Sequence, residues 1–260
     1  MLLSVVDELG IESGDLLFVH ASLDRYGAGA PEAILLIDKL RRAIGEHGSL
    51  FMPSYAWSGP DMVPEGPAVF DVRRTPARVG LLAEVFRRAP DVQRSEHYYL
   101  PICGIGPHAA AMLADQIGVT EPFGPESTLA RLAGHERTKL VGLGVSLNTT
   151  SLVHVADQAL YRRYPFSFFA PEPLFGNVVR TDGTTCTTST AVLQPNLRKC
   201  FRPARLFERS PALRNALHRH DLGSIINFAY PAKLYIDEAI RIGGDALQAG
   251  DLPPWVELGR

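Results

Sequence analysis

Residues 138–160 read TKLVGLGVSLNTTSLVHVADQAL, and the fold turns on how this stretch is parsed. TKLVGLGVS is short and nearly all apolar, the kind of strand that is buried on both faces of a parallel sheet. LVHVADQAL, at 152–160, reads as a helix. NTTS between them supplies several side chains suited to capping a helix N-terminus, which predicts a start at Thr149–Ser151. A strand that runs straight into a helix is the repeating unit of layered α/β proteins.

The same alternation appears upstream. GDLLFVHAS gives a strand, DLLFVH, that ends in a loop. PEAILLIDKLRRAIGEHG begins with a proline suited to the first turn and stops at a glycine. Its residues Ile34, Leu35, Ile37, Leu40 and Ile44 follow helical spacing, which predicts that this helix covers a sheet face. GSLFMPSYA gives a second strand, VGLLAEVFRRAP an amphipathic helix, ICGIGPHAAAMLADQIG a short strand and another helix, and STLARLAGH one more helix. WSGPDMVPEGPAVFDVRRTPARVG lies between these segments, rich in proline and glycine; an aperiodic loop of this length is usually functional or mobile.

Beyond residue 165 the pattern changes. FGNVVRTDGTTCTTSTAVL predicts two strands joined at Asp182-Gly183, a strong hairpin signal. RLFERSPALRNALHRHD reads as a surface helix, and INFAYPAKLYIDEAIRIGGDAL follows it. The expected architecture is one layered α/β/α domain over 1–260. Its central, mostly parallel sheet lies in a core at 1–165, and a smaller, partly antiparallel C-terminal sub-lobe at 166–260 packs against it.

Of the 260 residues, 46% are hydrophobic and 21% charged, with a net charge of −2. No basic excess points to nucleic acid, and no acidic excess to a strongly cationic partner. The N-terminus has no basic n-region, and the longest apolar runs, LLFV and LVGLGV, fall far short of the ~20 residues of a membrane helix. A soluble, cytoplasmic protein is expected, with no membrane or nucleic-acid partner. Cys103, Cys186 and Cys200 show neither a disulfide framework nor a zinc pattern.

His154 and Asp157 carry the chemistry of the opening stretch. Residues i and i+3 share a helix face, and the positive end of the helix dipole near His154 favours the neutral ring that accepts a proton. Asp157, by bonding one ring nitrogen, would fix the tautomer, giving a general base and its orienting carboxylate. A core histidine tied to a neighbouring acid fits the same spacing.

Two loops offer binding groups. In VHASLDRYGAGAPE a strand ends at Val19-His20, and small residues from Ala21 and Ser22 to Gly29 lead to a helix. Free N–H groups there suit a phosphate or an extended amide ligand, though an ordinary connection fits equally. In DVQRSEHYYLP, Arg94, Ser95 and His97 cluster where a phosphate oxygen could be held, and a solvated loop is the equal alternative. Gly104-Ile105-Gly106-Pro107-His108-Ala109 fits a loose dinucleotide pattern without its βαβ context. Gly144-Val145-Ser146 lacks the last glycine of a nucleophile elbow, and His154 precedes Asp157 in the wrong order for an α/β-hydrolase. An esterase using Ser146, with His218 or His220, is thus a rival reading, as is a non-catalytic CoA-binding protein.

Taken in order, GDLLFVHASLDRYG, SLFMPSY, FDVRRTPARVGLLAEVFRR, RSEHYYLPICGIGPHA, PFGPESTLARL and LVGLGVSLNTTSLVHVAD resemble the aminoglycoside 3-N-acetyltransferases. The matching stretches span roughly residues 14–160, and GGDALQAGD resembles the end of that family's closing helix. The resemblance implies an α/β fold unrelated to the GNAT acetyltransferases. It further implies acetyl-CoA as co-substrate, no metal, and direct transfer of the acetyl group to an amine of a small-molecule acceptor. It places the family histidine at His154 and its glutamate at Asp157, one methylene shorter, so that the pair needs a closer approach or a bridging water. His20, Ala21, Ser22 and Leu23 correspond to the part along the CoA pantetheine, and Arg94 and Ser95 to the element near the CoA diphosphate. Ser22 and Ser151 are candidate thioester or oxyanion contacts, and Tyr55, Asp71 and Ser151 candidate acceptor contacts. The long loop offers the acids Asp61, Glu65 and Asp71 for a cationic acceptor. It also offers Arg73, Arg74 and Arg78 for a phosphate-bearing one, such as a nucleotide-linked amino sugar. Homodimerisation is left open.

Overall fold

The computed structural model describes residues 2–57, 63, 64, 66, 68–195 and 197–258. Its helices are α1 (Leu2–Val5), α2 (Ala30–Ile44), α3 (Leu81–Arg87), α4 (Ala109–Leu113), α5 (Thr128–Gly134), α6 (Val153–Leu160), α7 (Arg205–Arg209), α8 (Pro211–Ala216) and α9 (Ala232–Gln248). Its strands are β1 (Leu16–Ala21), β2 (Ser49–Pro53), β3 (Val69–Asp71), β4 (Gln93–Arg94), β5 (Ile102–Ile105), β6 (Thr138–Leu143), β7 (Leu174–Val179), β8 (Thr185–Thr190), β9 (His218–Arg219) and β10 (Asn227–Pro231). No helix among the described residues is long and apolar enough to cross a membrane.

The main sheet has 7 strands in the order β4-β5-β2-β1-β6-β10-β9. β2, β1 and β6 form its parallel centre, with Leu16 opposite Ser49 on one side and Thr138 on the other. β5 and β10 run the opposite way, and β4 and β9 reverse again at the edges. Most strands therefore share one direction, as the sequence predicts, while parallel pairing is confined to the centre. The edge pairs β4–β5 and β9–β10 are antiparallel because each is joined by a short loop, and only a long crossover brings a strand back parallel.

Alternation along the central strands explains why both faces are covered. Leu16 and Phe18 of β1 face one core with Phe51 and Leu140, covered by α4, α5, α6 and α9. Leu17 and Val19 face the other with Leu50 and Val141, under α1, α2 and α3. This is the α/β/α layering expected of strands apolar at every position. On α2 the buried stripe is Ala33, Leu36, Ile37, Leu40 and Ile44, whereas Ile34 and Leu35 are 55% and 53% exposed. The spacing argument placed those two in the core, but a helix of 3.6 residues per turn cannot turn Ile34, Leu35 and Ile37 all toward one sheet.

The predicted hairpin is β7–β8, whose turn carries Gly183 at φ +87°. β3 adds a third, parallel strand to it, so the proline-rich loop contributes structure to the smaller sheet. The boundary at 165/166 does not divide two packing units. β10 pairs with β6 along Asn227–Pro231, and α9 packs on the core face that holds α6.

Candidate active site

A pocket of about 390 Å³ opens where β2, β1 and β6 end, lined by Pro53, His20 and Ala21, and by Val145 with residues 148–151. The carboxyl ends of parallel strands are where connecting loops diverge and leave room for a ligand. Two local features shape this edge. Gly144 follows β6 with φ +68°, and a Cβ there would lie 2.8 Å from the Ser22 carbonyl. Asn227 of β10 accepts from the Gly144 N–H and from the Tyr26 hydroxyl, tying β10 to the loops after β6 and β1.

The helix after β6 begins later than the NTTS run suggests. Residues 147–149 form a single 3-10 turn, the Thr150 hydroxyl accepts the Leu152 N–H, and α6 starts at Val153. The correction keeps His154 in the first turn. Its side chain is 13% exposed and lines the pocket. Nδ1 lies 3.0 Å from Oδ2 of Asp157, whose side chain is fully buried. Aspartate thus reaches the ring directly from i+3, with no bridging water needed. A carboxylate can only accept, so in the neutral ring Nδ1 carries the proton and Nε2 offers its lone pair. Oδ1 accepts from the Tyr164 hydroxyl at 2.6 Å and the Trp255 indole at 2.9 Å. Around the ring, Phe201 meets it edge-on at 4.7 Å and Phe123 lies at 5.0 Å. This apolar collar limits water around the base.

His20, Ala21, Tyr55 and Ser151 line the same pocket. The Tyr55 hydroxyl donates to Ser151 Oγ at 3.1 Å, linking two of the candidate acceptor contacts. Burial lowers the His20 ring to about 4, so it is uncharged near neutrality. Ser22 lies next to this lining, and Leu23 is turned into the core beneath α2.

Several expected residues are engaged elsewhere. The Arg94 guanidinium, stacked on Phe70, donates to the carbonyls of Ser54, Val72 and Thr75. Ser95 Oγ accepts the Ile102 N–H. Arg94 ends β4 and Ser95 follows it, and both side chains are buried with these backbone bonds as their partners, although Arg94 also borders the groove that holds Arg73 and Arg74. Asp71 accepts the N–H groups of Arg73 and Arg74 and closes their turn away from the pocket. Asp61 and Glu65 lie outside the described residues. Arg73 and Arg74 are exposed and border a separate groove with Arg87 and Arg88. Arg78 is exposed, and its backbone N–H bonds Tyr55.

Ser146 Oγ accepts the Asn148 N–H and caps the 3-10 turn, a capping role rather than that of a nucleophile beside a base. His218 and His220 lie on or beside the edge strand β9, and Asp157 is already committed to His154. In the loose dinucleotide motif, a Cβ at Gly106 would sit 2.6 Å from the Gly48 carbonyl, so packing accounts for that glycine.

Sequence reasoning missed Tyr164, Trp255, Phe123 and Phe201. Each meets the site through tertiary packing, and only Phe123 falls in a stretch, PFGPESTLARL, that carries the family resemblance.

The aminoglycoside 3-N-acetyltransferase family model matches residues 18–241. Aminoglycoside N(3)-acetyltransferase IV of Salmonella sp is 36% identical over 152 residues, 57% of this chain and 54% of that protein. Aminoglycoside N(3)-acetyltransferase VIII of Streptomyces fradiae is 33% identical over 169 residues, covering 58% of this chain and 57% of that protein. The match thus spans little more than half the length of these relatives. The crystal structure of aminoglycoside acetyltransferase AAC(3)-IVa aligns over 97% of this chain and 93% of its own, with a TM-score of 0.72 at 22% identity. A binary complex of AAC-IIIb with CoASH aligns over 92% of this chain and 93% of its own, with a TM-score of 0.71 at 20% identity. At such identities the superpositions speak for the fold. The sequence match runs from Phe18, within β1, into α9, and on it the chain belongs to the aminoglycoside 3-N-acetyltransferase family.

Proposed function

We propose that the protein is an acetyl-CoA-dependent N-acetyltransferase that acetylates an amine of an amino sugar by direct transfer in a ternary complex. One observation carries this reading: His154, its Nδ1 bonded to the buried Asp157 carboxylate at 3.0 Å, lines the pocket at the ends of the central strands. Family membership and the CoASH complex of a structural neighbour support acetyl-CoA as the donor.

A protonated amine is not a nucleophile. His154 Nε2 first relays the ammonium proton to solvent, then takes a second proton from the neutral nitrogen as that nitrogen attacks the thioester carbonyl. The new C–N bond forms, the C–S bond breaks as the tetrahedral intermediate collapses, and the proton passes from His154 to the departing thiolate. Asp157 holds the tautomer and offsets the charge on the imidazolium between the two proton transfers. The oxyanion needs donors fixed beforehand, and the Tyr55 and Ser151 hydroxyls and the N–H groups of Thr150 and Ser151, residues that line the same pocket as the base, are the candidates. His20 and Ala21 serve the thioester end of the donor.

Thiol release from acetyl-CoA across a panel of amines tests the reading. Turnover with an amino sugar is expected, and absence of release with every amine would defeat it. The exposed Arg73 and Arg74 groove favours including a nucleotide-activated amino sugar. Activity confined to polycationic aminoglycosides would remove the phosphate-bearing class.

A further inference from the structure

We infer that the C-terminal tail belongs to the catalytic apparatus: Trp255, together with Tyr164, acts as a positioning residue that aims the Asp157 carboxylate, and through it the His154 ring. The inference rests on the acyl-transfer reading and deepens it.

The argument starts from the cost of the carboxylate. Asp157 is fully buried, and an ionised group taken out of water costs several kcal/mol unless its lone pairs are met. Three donors meet them, and their division between the two oxygens matters. Oδ1 receives both the Tyr164 hydroxyl and the Trp255 indole, which leaves Oδ2 alone to face His154 Nδ1. Two bonds on one oxygen fix the rotation of a side chain that would otherwise swing about its Cβ–Cγ bond. A phenylalanine at 164 would fill the same space without this effect, whereas at 255 it would also leave empty the part of the indole that packs on Gly243. Burial and the neighbouring carboxylate both raise Tyr164 well above the ordinary tyrosine range, so the hydroxyl keeps the proton it donates.

Trp255 is itself held firmly. It is completely buried, and its ring fits over Gly243 of α9, where a Cβ would come within 2.6 Å. Its carbonyl accepts the Arg202 N–H, and the Glu257 N–H donates to the Cys200 carbonyl. Between those bonds, Val256 forms an antiparallel bridge with Phe201, the residue whose ring meets His154 edge-on. One short tail thus grips the imidazole from two sides, through Asp157 and through Phe201.

The test uses the full chain with Tyr164→Phe and Trp255→Phe, and Asp157→Asn as reference. kcat and the KM for acetyl-CoA are read from thiol release, folding from thermal unfolding, and the His154 tautomer from long-range proton–nitrogen correlation spectra. Each phenylalanine variant is expected to lose roughly tenfold or more in kcat with KM within about twofold, and its Nδ1–H tautomer should give way to a mixture. A folded variant that keeps the pure Nδ1–H tautomer overturns the proposal, whatever its kcat. Should Trp255→Phe fail to fold, Tyr164→Phe, which removes a single oxygen, decides. If the wild type transfers acetyl to no amine, the acyl-transfer reading fails, and the spectra still judge the positioning role separately.

Discussion

Acid should unfold this protein through two histidines before its carboxylates titrate. His97 is 3% exposed, and its Nδ1 accepts the N–H groups of Tyr99 and Leu100 at 3.1 Å each. A proton on Nδ1 would turn the acceptor of two bonds into a donor facing two donors, inside a core that resists charge. Burial accordingly lowers His97 to about 4, and His20 to about 4 as well. The unfolded chain takes up protons near the ordinary value of 6.5, whereas the folded chain resists them to about 4. Between those limits the unfolded state binds more protons, so stability is complete above about 6.5 and drains away as the pH falls toward 4. A shift of this size is worth roughly 3 kcal/mol per histidine, up to about 1.4 kcal/mol per pH unit at each site. Two such sites rival the whole stability of a typical domain, about 5–15 kcal/mol. Glu84, held near 2 chiefly by its bonds to Arg87, contributes only at lower pH. Urea unfolding at pH 7.5, 6.5, 5.5 and 4.5 on the wild type and on His97→Asn measures the effect. Asparagine can still accept the two N–H groups but has no proton to gain. The variant should lose about half of the wild-type slope between pH 6.5 and 4.5, and an unchanged slope would refute the argument.

Three further outcomes follow from the geometry. Gly144→Ala places a Cβ 2.8 Å from the Ser22 carbonyl at a backbone of φ +68°, and should cost on the order of 1–3 kcal/mol in urea unfolding; a neutral result would contradict the close approach. Arg94→Met strands three carbonyls and should destabilise by on the order of 3 kcal/mol while leaving the affinity of the folded protein for acetyl-CoA unchanged. The reverse pattern would return Arg94 to a phosphate-binding role. Acetyl-CoA at about 100 times its Kd should stabilise the fold by ~2.7 kcal/mol in thermal or urea unfolding. No stabilisation would count against a CoA site.

The central strands were legible because their periodicity is local. TKLVGLGVS and DLLFVH are apolar through their centres, as burial on both faces requires. The His154–Asp157 pair was legible too, since spacing on a single helix is a property of sequence alone. What supports the pair was not. Trp255 reaches Asp157 across 98 residues, and β10 joins β6 from a segment that reads as part of a smaller C-terminal sub-lobe. Arg94 shows the opposite failure: a conspicuous arginine beside a serine suggests an anion, but the carbonyls of residues distant in sequence claim its donors first. The run Asn148–Ser151 offered so many capping side chains that it concealed the 3-10 turn preceding α6. Propensity places a helix start within a few residues, and packing of Leu152 and Val153 sets it.

Single-turnover acetyl transfer by His154→Ala, compared with the wild type at saturating acetyl-CoA and an accepted amine, bears most directly on the role of the imidazole. The variant should bind acetyl-CoA normally and transfer its acetyl group at least ~10²-fold more slowly, with part of the loss recovered at high pH, where the amine sheds its own proton. Transfer at the wild-type rate near neutral pH would show that the ring at position 154 moves no proton in the reaction.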